Sequence, residues 1–340
     1  MICCTNCFAD HHVRNQIGPT NKINRATCPI CNTGESILFE IEQLAEQFEL
    51  LYSSYRITKT GRNFVERIAD DWRIFDERKI NKASQHKLIS SALGDTFPLD
   101  TPMAPLSLDK QEPLARWDDL KKELKENNRY FFNQTLIDMD RLSDLLAFLL
   151  NKDLPNTWYR GRICDSSKGY KLSEMGAPPG RLASHGRANP PGIPYLYLAS
   201  KPTTTANEVR PQTGEKICIA EFETDGSITA IDLRNPRARV SPFILSDAVN
   251  IAQLHNDLPF IERLGEELTR PVMPKGAAID YIPSQFLCEF IKKEGYNGVV
   301  YNSAMGDGFN LALFDPARAK PISQKTYTID SVKVEIAITP

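Results

Sequence analysis

The spacing of apolar positions divides the chain into stretches of different character. Ile37, Phe39, Ile41, Leu44, Phe48 and Leu51 recur with charged residues between them and read as helical. Similar patterns cover 64–75, 117–126 and 136–150, while 95–113, rich in Pro, Asp and Ser, reads as a loop. The expectation is a helical middle segment over 36–150. Beyond Leu154 the apolar runs shorten. Strands are expected at 158–162, 195–199, 217–222, 228–233, 298–303, 311–314 and 326–339. Helices are expected at 246–255, 260–269 and 283–294, the last with Pro283 near its start and Gly295 as its stop. Without a regular strand–helix–strand alternation, the fold class is α+β.

One stretch, 186–211, concentrates side chains with chemistry. Asn189-Pro190-Pro191-Gly192 supplies a turn, and 195–199 a strand. A Lys201-Pro202 break then leads to a short helix over 203–209, with a Thr as its N-cap. Arg187 falls in the turn, Tyr197 on the strand and Glu208 on the helix. A cation, an aromatic ring and a carboxylate at the edges of adjoining elements fit a phosphorylated, ring-bearing ligand. Taken alone, Glu208 is also compatible with a surface ion pair to Arg210.

Composition narrows the class. At 340 residues the chain is long enough for about two domains. A net charge of −2 gives no overall attraction to nucleic acid or anionic lipid. The start MICCTNCFADHH lacks the basic-then-apolar order of a secretory signal. The apolar run at 145–150 is far below the ~20 residues that span a bilayer. A cytosolic, membrane-free protein is expected.

Five of the eight cysteines lie in the first 31 residues. Cys4-x-x-Cys7 and Cys28-x-x-Cys31 are two knuckles whose thiolates can close a tetrahedral shell around a structural Zn2+. A segment of this size, taken as 1–35, cannot bury enough core alone, so the ion would supply its folding free energy. Cys3 is an alternative to Cys4, and His11 and His12 are spare. Arg14, Lys22 and Arg25 lack the interleaved aromatics of a single-strand binder, so nucleic acid is not expected. A HEPN-type nuclease centre is rejected because Arg78 and His86 have the wrong spacing.

Four motifs in order, WYRGR with Arg160, GRANPPGIPYLYLA with Arg187 and Tyr197, TANEVRP with Glu208 and GVVYNS with Ser303, resemble the RES domain, named for its Arg, Glu and Ser. The resemblance covers about residues 154–320, within a third domain taken as 151–340. It implies a fold similar to ADP-ribosyltransferase toxins and a bacterial NAD+-degrading toxin controlled by an Xre-type antitoxin. It also implies cleavage of the nicotinamide–ribose bond, with water, inorganic phosphate or a protein as acceptor. The leader before it resembles that of N-terminally extended RES proteins. On this basis Glu208 is expected beside the ribose, and Arg160 and Arg187 on the pyrophosphate or an acceptor phosphate. Tyr197 is expected to stack in the cleft and Ser303 to donate to a ribose hydroxyl or the carboxamide. Asn189 and Asn310 are expected as polar orienters. Two departures stand out: Gly161 where an aromatic often follows the first Arg, and a long following loop holding Arg181. Gly306-Asp307-Gly308 reads as an ordinary turn. The other class considered is a non-catalytic NAD+-sensing module.

Overall fold

The computed structural model describes residues 1–20, 22–107, 116–164 and 169–333. The chain divides into two compact units: Met1–Glu112 with Arg237–Ile261, and Pro113–Pro236 with Glu262–Pro340.

In the first unit, Ser36–Glu40 is the middle strand of an antiparallel three-stranded sheet, flanked by Ile2–Cys4 and Asn24–Ala26. The helical expectation fails here. Ile37, Phe39 and Ile41 alternate with a period of two, and helical spacing begins only with Leu44. Helix Ala45–Ser53 follows, then Phe64–Trp72 and Lys82–Leu93, where the side chains of Asn63 and Asn81 accept from the backbone N–H of Glu66 and Ser84. The last of these has no counterpart among the sequence expectations. The expected loop at 95–113 contains a short strand, Met103–Pro105, paired with Tyr55–Ile57; its residues 108–113 lie outside the described ones. Arg78 precedes the helix that carries His86 and is held by Asp76.

The second unit is built on an eight-stranded sheet. Its strands are β1 (Leu150–Asn151), β2 (Thr157–Ile163), β3 (Leu196–Ala199), β4 (Lys216–Thr224), β5 (Ala230–Asp232), β6 (Gly298–Asn302), β7 (Phe309–Leu313) and β8 (Ala319–Thr328). Their order across the sheet is β8-β4-β2-β3-β7-β6-β5-β1. Only β5 and β6 pair in parallel; the remaining neighbours are antiparallel. The other ladders run from two to nine residue pairs, but β2 meets β3 through a single pair, Tyr159 opposite Ala199.

Leu196, Leu198, Val300, Leu311 and Leu313 join Trp158 and Phe222 in one buried cluster. Strand alternation therefore turns Tyr197, Tyr301 and Asn310 toward the opposite face. Asn310 lies on β7 and not in the loop before it. The final strand ends at Thr328, and residues 334–339 of the expected one lie outside the described residues.

Helix α1 (Pro202–Val209) follows β3. Pro202 starts this helix instead of breaking the chain before it, because a fixed φ and a missing N–H suit the first turn. No Thr caps it: Lys201 holds that place, without a side-chain bond. Helix α2 (Ile282–Lys293) ends before Gly295 as expected. The two helices expected at 246–255 and 260–269 are one, Ala248–Glu267, running through Pro259. Ile251, Leu254, Leu258, Ile261 and Leu264 are all buried along it, and that burial outweighs the hydrogen bond lost at proline. Among the described residues no helix is long and apolar enough to cross a membrane.

Candidate active site and cysteine cluster

Where β2 and β3 part, a cavity of about 490 Å³ opens, lined entirely by the second unit. Arg160 enters it from β2, Tyr197 from β3, Glu208 from α1 and Asn310 from β7, with Arg187 from the turn before β3. Tyr301 and Tyr281 complete the aromatic lining.

Glu208 sits at the exposed mouth, yet its carboxylate is fixed. Ser303 Oγ and Asn310 Nδ2 both donate to its Oε1, at 2.6 and 2.7 Å. Among the described residues Oε2 carries no hydrogen bond, so one oxygen is anchored and the other is open. Ser303 in turn accepts from the Met305 N–H at 3.1 Å. Arg210 is therefore not the partner of Glu208.

Arg160 donates from one terminal nitrogen to the Tyr197 carbonyl at 3.2 Å, and among the described residues its buried Nε has no partner. Burial, reinforced by the Arg162 charge, pushes its guanidinium down to about 10. An anion in the cavity would satisfy both the orphan donor and the unpaired charge. Arg187 donates to the Arg270 carbonyl at 2.6 Å and lies 5.3 Å from the Tyr281 ring centroid, which holds its fork against the cavity wall.

The Tyr197 hydroxyl is fully engaged. It donates to Asn189 Oδ1 at 2.7 Å and accepts from the N–H groups of Ala188 and Asn189. Burial pushes the phenol up, so it stays protonated. Asn189 spends its amide on the carbonyls of Ser184, Pro190 and Ile193, which makes it the organiser of the turn.

A family model described as the RES domain matches residues 158–331, more than half of the chain. The chain belongs to the RES domain family. Among solved structures, the M. tuberculosis MbcT–MbcA toxin–antitoxin complex aligns with 56% of this chain and 94% of its own, at 16% identity and a TM-score of 0.33. No curated protein matches.

Within this RES domain, Gly161 lines the cavity, and Thr205 of α1 approaches it closely. Arg181 is exposed in a short turn and is absent from the cavity wall. Sequence reasoning missed His185, Thr205, Val272, Tyr281 and Tyr301 as lining residues. His185 had a signal, a titratable ring next to the Gly186-Arg187 motif. Tyr281 had none, because only the return of a distant helix brings it in.

Outside the matched region, Cys4, Cys7, Cys28 and Cys31 place their sulfurs within 4.8 Å of one another, a grouping that can hold a metal ion. Neighbouring sulfurs lie 3.9, 3.5 and 3.7 Å apart. A tetrahedral ion with four bonds of about 2.3 Å has S···S edges of about 3.8 Å, so the donor set fits Zn2+. Mutual hydrogen bonding favours the Cys28 thiolate and burdens those of Cys4 and Cys7. A divalent cation would remove that burden. Cys3 and the two histidines are not part of the cluster.

Proposed function

We propose that this RES domain is an NAD+-degrading enzyme of the cytosol that breaks the nicotinamide–ribose bond, with water or inorganic phosphate as acceptor. The observation that carries this reading is Glu208 anchored through Oε1 at the mouth of a cavity that also holds the partnerless Nε of Arg160. Nicotinamide leaves as a neutral molecule, taking the bonding electron pair onto its ring nitrogen, so no strong general acid is needed. The difficulty is positive charge developing on the ribose. The open oxygen of Glu208 steadies it, as carboxylates do in glycoside hydrolysis. The acceptor oxygen then bonds to the anomeric carbon, and an acceptor water releases its proton to solvent.

Arg160 and Arg187 grip the pyrophosphate with forked donors, or one of them holds the acceptor phosphate. Tyr197 offers its ring face, since its hydroxyl is occupied. Asn189 acts through the turn, while Ser303 and Asn310 aim Glu208. The domain is taken as ADP-ribosyltransferase-like, and the N-terminal sheet with its four cysteines as a structural zinc ribbon. A free NAD+-degrading enzyme harms its host, so an antitoxin of the Xre type covering the cavity is the expected restraint.

Mass analysis of the products tests the reading. Purified protein freed of any inhibitor should convert NAD+ to nicotinamide plus ADP-ribose, or its phosphate adduct when phosphate is present. Transfer of labelled ADP-ribose to a protein band would instead mark a macromolecular acceptor. Tight NAD+ binding without nicotinamide release would mean a sensor, and would overturn the proposal.

A further inference from the structure

Two cysteines outside both sites meet on the sheet. On the antiparallel β2–β4 ladder Arg162 lies opposite Cys218, and the Cys164 N–H donates to the Lys216 carbonyl at 2.8 Å. Cys164 is therefore diagonal to Cys218 on one face. Neither is in a disulfide, and their sulfurs are 2.9 Å apart, within about 1 Å of a disulfide bond length of about 2.05 Å. The chain leaves room for this approach at Gly169, with φ +65°, where an added Cβ would lie 2.8 Å from the Cys218 sulfur and 3.7 Å from that of Cys164.

The two thiols have complementary properties. Cys164 is half-buried and reachable from solvent, whereas Cys218 is fully buried. Burial opposes the Cys218 thiolate, but the Cys164 thiol, the Tyr170 N–H at 3.4 Å, Thr326 Oγ1 at 3.6 Å and the Arg162 charge outweigh it, and its pKa falls. Cys288 is also buried, but lacks such donors, and burial pushes its thiol up. An accessible sulfur beside a thiolate-prone one is the arrangement of an attacked and a resolving cysteine.

We propose that Cys164 and Cys218 form an oxidation site that closes reversibly to an intramolecular disulfide. With hydrogen peroxide as oxidant, Cys164 gives up its proton, its thiolate attacks one peroxide oxygen and breaks the O–O bond to become a sulfenic acid, and the displaced hydroxide leaves with that proton as the first water. The Cys218 thiolate then attacks the Cys164 sulfur, the S–S bond forms, and the hydroxyl departs with a proton as the second water. Two thiols are oxidised and one O–O bond is reduced. In a reducing compartment such a bond is transient. It joins positions 54 residues apart, and so restricts the unfolded chain. The inference does not depend on the NAD+ chemistry.

The test is peptide mapping of the full, zinc-loaded chain after graded hydrogen peroxide and alkylation. A cross-linked peptide pair joining Cys164 to Cys218, two hydrogens lighter and released by dithiothreitol, is expected. It should appear while Cys288 remains an unmodified thiol. The oxidised chain should melt about 10 °C higher, and Cys164→Ser should abolish that gain. Recovery of Cys164 as a sulfinic acid with Cys218 still alkylatable would overturn the proposal, as would an equal melting shift in Cys164→Ser. Should that variant fail to fold, the cross-linked peptide in the unaltered chain decides alone.

Discussion

Arg160 keeps a buried positive charge against one carbonyl oxygen, with Nε unsatisfied, so its desolvation is incompletely compensated. The folded-state pKa lies below the unfolded one, so the cost to stability is present while the group is charged and shrinks as pH rises through about 10. Arg160→Met should therefore melt at the same or a higher temperature by scanning fluorimetry, yet lose about 10–100-fold in kcat/KM for NAD+. The same sign sets the pH profile. On the proposed reading, the Arg160 grip on pyrophosphate would hold at neutral pH and fade as the guanidinium deprotonates, so KM measured from pH 7 upward should rise steeply near 10. Glu208→Gln retains an oxygen for Ser303 and Asn310 but removes the charge; kcat should drop about 10³-fold with the melting temperature unchanged. The sequence suggested Arg210 as the neighbour of Glu208. The actual partners come from the β6–β7 hairpin, about a hundred residues later, and no local spacing encodes that meeting.

The hairpin loop after β6 docks onto α1. Thr204 Oγ1, fully buried, donates to the Asp307 carbonyl at 2.7 Å. Gly308 has φ +102°, and a Cβ there would overlap Thr204 Oγ1 and press on Ser200 Oγ at 3.0 Å. Gly308→Ala should cost about 1–3 kcal/mol in chemical denaturation. Because Ser303 donates its N–H to the Gly308 carbonyl, kcat should fall as well. Most strands of the second unit were legible, since short apolar runs between turn residues have few other solutions. The errors have local causes. Ser36–Glu40 is followed at once by helical spacing that masks its alternation, Pro202 was read as a break, and two helices were expected where one runs through Pro259. At the first, proline suits a helix start; at the second, buried leucines and isoleucines on either side hold the helix through it.

At the scale of the molecule, the first unit's small sheet and the second unit's large one rest on different sources of stability. The four-cysteine group sits at and beside the three-stranded sheet, and a Zn2+ ion bound there would couple the folding of this segment to the ion. Chelation, or Cys28→Ser, should abolish the ordered amide signals of residues 1–40 in an NMR spectrum, and returning Zn2+ to the chelated wild type should restore them. The large sheet holds itself by its ladders, with one exception. Along the line where β2 leaves β3, two blocks of strands share a single ladder pair, backed by the Arg160 hydrogen bond to the Tyr197 carbonyl, with Arg160 on one bank and Tyr197 and Asn310 on the other. A dinucleotide gripped from both banks would act as a strap across this crease, so deuterium uptake in 157–163 and 196–199 should slow when NAD+ is bound to Glu208→Gln. The enzyme would then be most pliable when empty, and the crease would be the natural place for an inhibitor to wedge it open.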